Sequence, residues 1–142
     1  MSLHVELGSW DALRAEAAPI RFVVFVDEQR VPAALELDEW DARSLHAVAR
    51  DADGRALGTG RLLPDAHIGR MAVLRAARGR GVGAALLTVL VDAARARGER
   101  EVALSAQVHA VPFYRRAGFV EYGDVYLDAD IPHVMMRRAL TP

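Results

Sequence analysis

A glycine–arginine run, Arg78-Gly79-Arg80-Gly81-Val82-Gly83, divides an extended segment from a long helical one. Residues 67–74 before it read as a strand. After it, Val82, Leu86, Val89, Leu90 and Ala93 fall on one face, the stripe of an amphipathic helix laid on a sheet. Gly98 ends that helix and residues 102–107 read as the next strand. A strand, a crossover helix and a second strand make a parallel pair. The domain is therefore α/β, with the loop at the carboxyl end of a strand. Glycine there lets backbone approach a ligand closely, and the helix start offers free N–H groups and the positive end of a dipole. Such a loop suits phosphate.

The flanks add antiparallel strands. Residues 45–50 and 55–63 sit either side of Asp51-Ala52-Asp53-Gly54, a hairpin signal, and Pro64-Asp65 ends the second run. Residues 3–7 read as a first strand. Ser9 reads as the N-cap of a helix to about residue 17, and Pro19 as the first turn of a second helix over 20–28. Residues 31–41 read as a loop carrying Glu36, Asp38, Glu39 and Asp41. Residues 110–117 read as a short helix closed by Gly118, with last strands over 119–126 and 133–140. The expectation is one domain, 1–142, with a mixed central sheet of six to seven strands. The sheet is antiparallel apart from one splayed parallel pair, and about four helices flank it.

A chain of 142 residues can bury its own core, and 52% hydrophobic with 26% charged residues is a globular balance. A net charge of −1 gives no basic field for nucleic acid, so the arginines must act locally. With no cysteine, disulfides, thiolate metal sites and a cysteine nucleophile are excluded. No apolar run reaches transmembrane length and no signal-peptide pattern opens the chain, so a soluble cytoplasmic protein without membrane contact is expected. His46, His109 and His133 lack metal-ligand spacing, and no metal is expected.

Three phosphate motifs compete for the loop. The nucleotide-hydrolase form GxxxxGK followed by Ser or Thr is absent. The dinucleotide form is matched by Gly79, Gly81 and Ala84, but the following strand ends in Gln107 instead of an acid, and Glu99 and Glu101 precede that strand. The third form, Arg-x-x-Gly-x-Gly, is filled by Arg78, Gly81 and Gly83, after Met71-Ala72-Val73 and before Leu86-Leu87. Ala110, Phe113-Tyr114 and Gly118-Phe119 follow at the spacing of a second signature. Together these resemble the GNAT superfamily of N-acetyltransferases. Residues 21–32 with Glu36, Asp38, Asp41 and His46, and later Ile131-Pro132-His133 with Met136, resemble its small ElaA-like branch.

The resemblance implies a chemistry. The strands at 67–74 and 102–107 would splay, with pantetheine paired to free backbone groups of Met71, Ala72 and Val73. The pyrophosphate of acetyl-CoA, the implied cosubstrate, would rest on the loop from Arg78 through Gly79, Arg80, Gly81, Val82 and Gly83 to Ala84, with charge from Arg78 and further candidates in Arg80 and Arg75. Gln107 stands where many members have Asn. The N–H near Val73 would polarise the thioester carbonyl. Tyr114 falls at the general-acid position, and a phenol of pKa about 10 suits protonating a thiolate. The amine acceptor needs a base or a charged holder, for which Glu28, Asp38, His46 and His133 are candidates. The acids at 36–41 lean towards a small cationic amine among acceptors ranging from polyamines to protein termini. A monomer or homodimer fits, and the alternative is a non-catalytic acyl-CoA sensor or interaction module.

Overall fold

A computed structural model describes residues 2–141. Seven strands form two sheets. Strands β1 (His4–Gly8), β2 (Leu45–Arg50), β3 (Ala56–Leu62) and β4 (Ile68–Val73) lie antiparallel in chain order. Strands β5 (Glu101–Gln107), β6 (Val120–Asp128) and β7 (Ile131–Ala139) form the second sheet, in the order β5-β7-β6. Helices are α1 (Trp10–Arg21), α2 (Ala33–Glu36), α3 (Val82–Ala96) and α4 (Val111–Arg116).

The splay expected between the two central strands is present. β4 and β5 run parallel and meet at one bridge, His67 to Ala103, where Ala103 N–H also donates to the Ala66 carbonyl at 3.2 Å. Beyond that point the strands part towards their carboxyl ends, leaving backbone of β4 unpaired on that side. The core lies under α3, where Leu86 and Leu90 pack with Leu62, Ile68, Val102, Leu104, Phe119 and Met136, all nearly inaccessible.

Glycines in β3 allow the sheet to approach α3. A Cβ on Gly60 would stand 2.5 Å from Met71 Sδ and 2.9 Å from Leu90 Cδ1. Opposite Gly60 the register slips: Thr59 pairs with Ala72 and Arg61 with Gly69, so Arg70 and Met71 together face one residue. This is a β-bulge, and Arg70 takes φ of 50° within it.

Two sequence expectations need correction. Pro19 does not divide two helices. α1 continues through it into a π-helical segment, Phe22–Glu28. Leu13, Ala17, Ile20 and Val24 recur at steps of four, three and four as one buried stripe, and that burial outweighs the lost N–H at the proline. The wider turns that follow fit a helix loosened there. The expected loop at 31–41 contains α2, with a 3₁₀ turn at Asp41–Arg43 after it.

Candidate active site

The splay opens onto two adjoining clefts. One, of about 760 Å³, lies over the glycine loop, between Met71 and Val73 of β4, residues 78–84 and Phe113 of α4. The other, of about 650 Å³, lies between the end of the α1 continuation, β4, the end of β5 and the β6–β7 hairpin. Met71, Val73, Arg78, Ala110 and Tyr114 line both.

The loop has the form phosphate requires. Gly79 and Gly81 take φ of 79° and 80°, the left-handed region that glycine enters freely. Gly81 is the N-cap of α3 and no side chain caps the helix, so the loop and helix start present their N–H groups outward. Gly83 faces Phe113, with a Cβ there 3.3 Å from Cζ. Of the residues expected to hold the donor, Met71, Val73, Arg78, Gly79, Gly81, Val82, Gly83 and Ala84 line the loop cleft. Arg80 is exposed beside it. Ala72 turns its side chain inward onto Ile20 and Val24, leaving only its backbone to the splay.

Tyr114 stands where the clefts meet. Its ring packs edge-on against Phe113 and Phe119, at centroid distances of 5.0 and 6.1 Å. Burial pushes its phenol up to about 12.

The acceptor-side candidates separate. Glu28 and His133 line the second cleft, and Asp38 and His46 do not. Asp38 is held by Arg61 in a bidentate pair at 2.7 and 2.9 Å and by Arg70 at 3.3 Å. The Arg61 hydrogen bond holds its carboxyl below the usual range. His46 is 1% exposed, donates from Nε2 to the Asp41 carbonyl at 2.8 Å and packs on Trp10. Burial lowers its pKa and keeps it neutral. Glu36 and Asp41 are equally committed. Arg21, 1% exposed, takes Glu36 Oε1 at 2.6 Å and Asp41 Oδ1 at 2.7 Å, and Arg61 Nη1 adds a contact to Asp41 Oδ1 at 2.8 Å. Arg70 donates to the Glu36 and Leu35 carbonyls. Three arginines neutralise Glu36, Asp38 and Asp41, so these acids form a strut pinning α2 and the turn after it to β3 and β4. They are not the cation-binding cluster that their spacing suggests.

His133 is buried against the cleft. Its Nδ1 lies 2.6 Å from the Ile131 carbonyl, and its ring stacks on Tyr126. A carbonyl only accepts, so Nδ1 carries the hydrogen and the neutral ring has its lone pair on Nε2. Tyr126 also hydrogen-bonds Ser105 Oγ. Gln107 donates to Gln29 Oε1 at 2.8 Å and accepts from His109 Nε2 at 2.7 Å, an amide chain that ties the helical wall to β5. Sequence reading assigned no site role to Gln29, His109, Ser105 or Tyr126. The pairing of Gln107 with His133 across β5 and β7 is the register that gathers this group, and it appears only once the strands are ordered. Among the described residues no group of His, Cys, Asp and Glu is placed to hold a metal, and no helix is long and apolar enough to cross a membrane.

A splayed parallel pair, a glycine loop and a tyrosine thus meet at one fork, between two clefts. The family model described as "Acetyltransferase (GNAT) domain" matches residues 13–140, and the chain belongs to this family. The chain is 38% identical over 127 residues to the uncharacterized N-acetyltransferase YjcF of Bacillus subtilis, covering 87% of this chain and 90% of that one. It is similar in structure to an acyl-CoA N-acyltransferase from Pseudomonas aeruginosa, at 36% identity and a TM-score of 0.86 over 97% of this chain and all of that one. Escherichia coli ElaA superposes with a TM-score of 0.84 at 27% identity, covering 96% and 99% of the two chains. The protein is thus an acyl-CoA-dependent N-acetyltransferase, and it resembles the ElaA branch.

Proposed function

We propose that the protein moves an acetyl group from acetyl-CoA to the primary amine of a small acceptor, by direct attack in a ternary complex. The observation that carries this reading is the place of Tyr114, on the wall of both the loop cleft and the acceptor cleft. The donor lies along β4 with its pyrophosphate on the N–H groups of residues 79–84, the Arg78 N–H being held by the Arg75 carbonyl. The match over residues 13–140 supports reading the chain as one acyltransferase domain.

His133 Nε2 takes a proton from the acceptor's ammonium group, and the imidazolium is stabilised through Nδ1–H on the Ile131 carbonyl. The amine nitrogen then attacks the thioester carbon, and backbone N–H near Val73 holds the developing oxyanion. The C–S bond breaks, the thiolate takes a proton from Tyr114 Oη, and the second proton of the nitrogen passes through solvent to the tyrosinate, which restores the phenol. Burial makes this phenol a weaker acid than a free tyrosine and keeps it protonated until the thiolate forms.

The test is release of CoA thiol from acetyl-CoA across a panel of amines, with CoA affinity measured calorimetrically on the same preparations. Tyr114→Phe is expected to lower kcat about 100-fold or more and leave CoA affinity within about twofold. His133→Asn is expected to lower kcat similarly, with added imidazole restoring part of it. An unchanged kcat removes the residue concerned from its role. CoA binding without turnover of any amine would favour a sensing module.

A further inference from the structure

We propose that Glu28 is the carboxylate that receives the acceptor's ammonium group, and that Arg78 masks it while no donor phosphate is bound. This rests on the reading of the glycine loop as the acyl-CoA site. Arg78 Nη2 donates to both oxygens of Glu28, at 3.1 and 2.9 Å, and its Nε donates to the Val73 carbonyl at 3.0 Å. The side chain thus bridges the fork. It holds a wall residue of the acceptor cleft with one end and occupies the last carbonyl of β4 with the other. Arg75 Nη2, from the same stretch before the loop, lies 3.6 Å from Glu28 Oε2.

One guanidinium cannot serve Glu28 and a diphosphate at once. A carboxylate offers Arg78 one negative charge and a diphosphate offers two, in a geometry that a planar guanidinium meets bidentately. The pair is only partly shielded, with 43% of the Arg78 side chain exposed, so breaking it is cheap. When Arg78 turns to the loop, the Val73 carbonyl is freed for the pantetheine arm. Glu28, whose side chain is 18% exposed, is left as an under-compensated carboxylate on the acceptor wall. A primary ammonium supplies the missing charge. The other acids packed near it do not compete, because Glu36, Asp38 and Asp41 are held by Arg21, Arg61 and Arg70, and Asp65 and Asp128 are exposed at the cleft's edge. Val24, Phe25, Val31 and Leu35 line the same cleft, which fits an amine with an apolar body.

The masking is tested by calorimetric titration of CoA into four proteins: wild type, Glu28→Gln, Arg78→Gln and the double variant. Glu28→Gln is expected to bind CoA about two- to fivefold tighter, because Arg78 no longer has to be released. Arg78→Gln is expected to bind about tenfold more weakly, and the double variant to match it. Equal or weaker binding by Glu28→Gln overturns the masking. Undiminished binding by Arg78→Gln instead sinks the loop reading on which it rests. For the ammonium role the probe is hexylamine, read as a change in Tm. It is expected to raise the Tm of the CoA-loaded wild type, and not that of the CoA-free protein or of CoA-loaded Glu28→Gln. A shift retained in Glu28→Gln, or absent throughout, overturns the ammonium role.

Discussion

Asp41 holds Arg21 in a bidentate pair, Oδ1 to Nη1 at 2.7 Å and Oδ2 to Nη2 at 3.1 Å, and the two residues are 2% and 1% exposed. Burial alone would push the carboxyl up, and the hydrogen bonds and charges of Arg21 and then Arg61 more than reverse that, leaving it below its ordinary value. Removing the carboxylate leaves Arg21 with Glu36 and Arg61 with Asp38, and the buried cluster one negative charge short. Asp41→Ala is expected to cost about 3–5 kcal/mol of stability, as for other broken buried pairs. Urea unfolding measures it, and a loss under about 1 kcal/mol would mean that the strut carries little.

The same cluster sets the response to acid. Burial lowers the pKa of His46 in the folded state, and the charges of Arg21 and Arg61 act the same way against the opposing pull of Asp41. A group whose folded pKa is depressed contributes stability above its unfolded value and loses it as pH falls. For His46 that loss begins near the unfolded value of about 6.5. Asp38 and Asp41, also depressed, add theirs only below about 4. Stability is therefore expected to fall in two stages between pH 8 and 3. His46→Gln, which keeps a neutral donor, is expected to flatten the first stage and leave the second. Urea midpoints across that range decide it, and an unchanged first stage would assign it to another group.

The strand–loop–helix–strand centre was legible because each part carries a local signal: the stripe from Val82 to Ala93, the glycines, and Gly98 at the close. The position of Tyr114 beside the loop cleft was legible by its spacing to that loop. The front third was not. Glu36, Asp38 and Asp41 look like an exposed acidic patch along the chain, but their partners arrive from α1, β3 and β4, separated by 15 to 32 residues. Arg70 reaches them from a left-handed bulge at a non-glycine position, which leaves no mark in the sequence. Pro19 misled for the opposite reason. Its local signal is strong, and the buried stripe overrode it.

The donor loop can be tested against an internal control. Gly81 takes φ of 80° and Gly54, in the β2–β3 turn, takes 83°. A Cβ built on either meets nothing within 4 Å, so valine at each site brings backbone strain without a clash. That strain is about 1–2 kcal/mol, and relief comes only by moving the local backbone. At residue 54 the movement disturbs a surface hairpin. At residue 81 it re-aims the N–H groups at the start of α3, the proposed seat of the pyrophosphate. Gly81→Val and Gly54→Val are therefore expected to lose similar amounts of Tm. Only Gly81→Val is expected to lose CoA binding, by about 100-fold or more, as several charge-assisted hydrogen bonds fail together. Calorimetric titration of CoA into both variants separates the outcomes. Retained binding by Gly81→Val would place the pyrophosphate elsewhere, and parallel losses in both variants would trace the effect to stability.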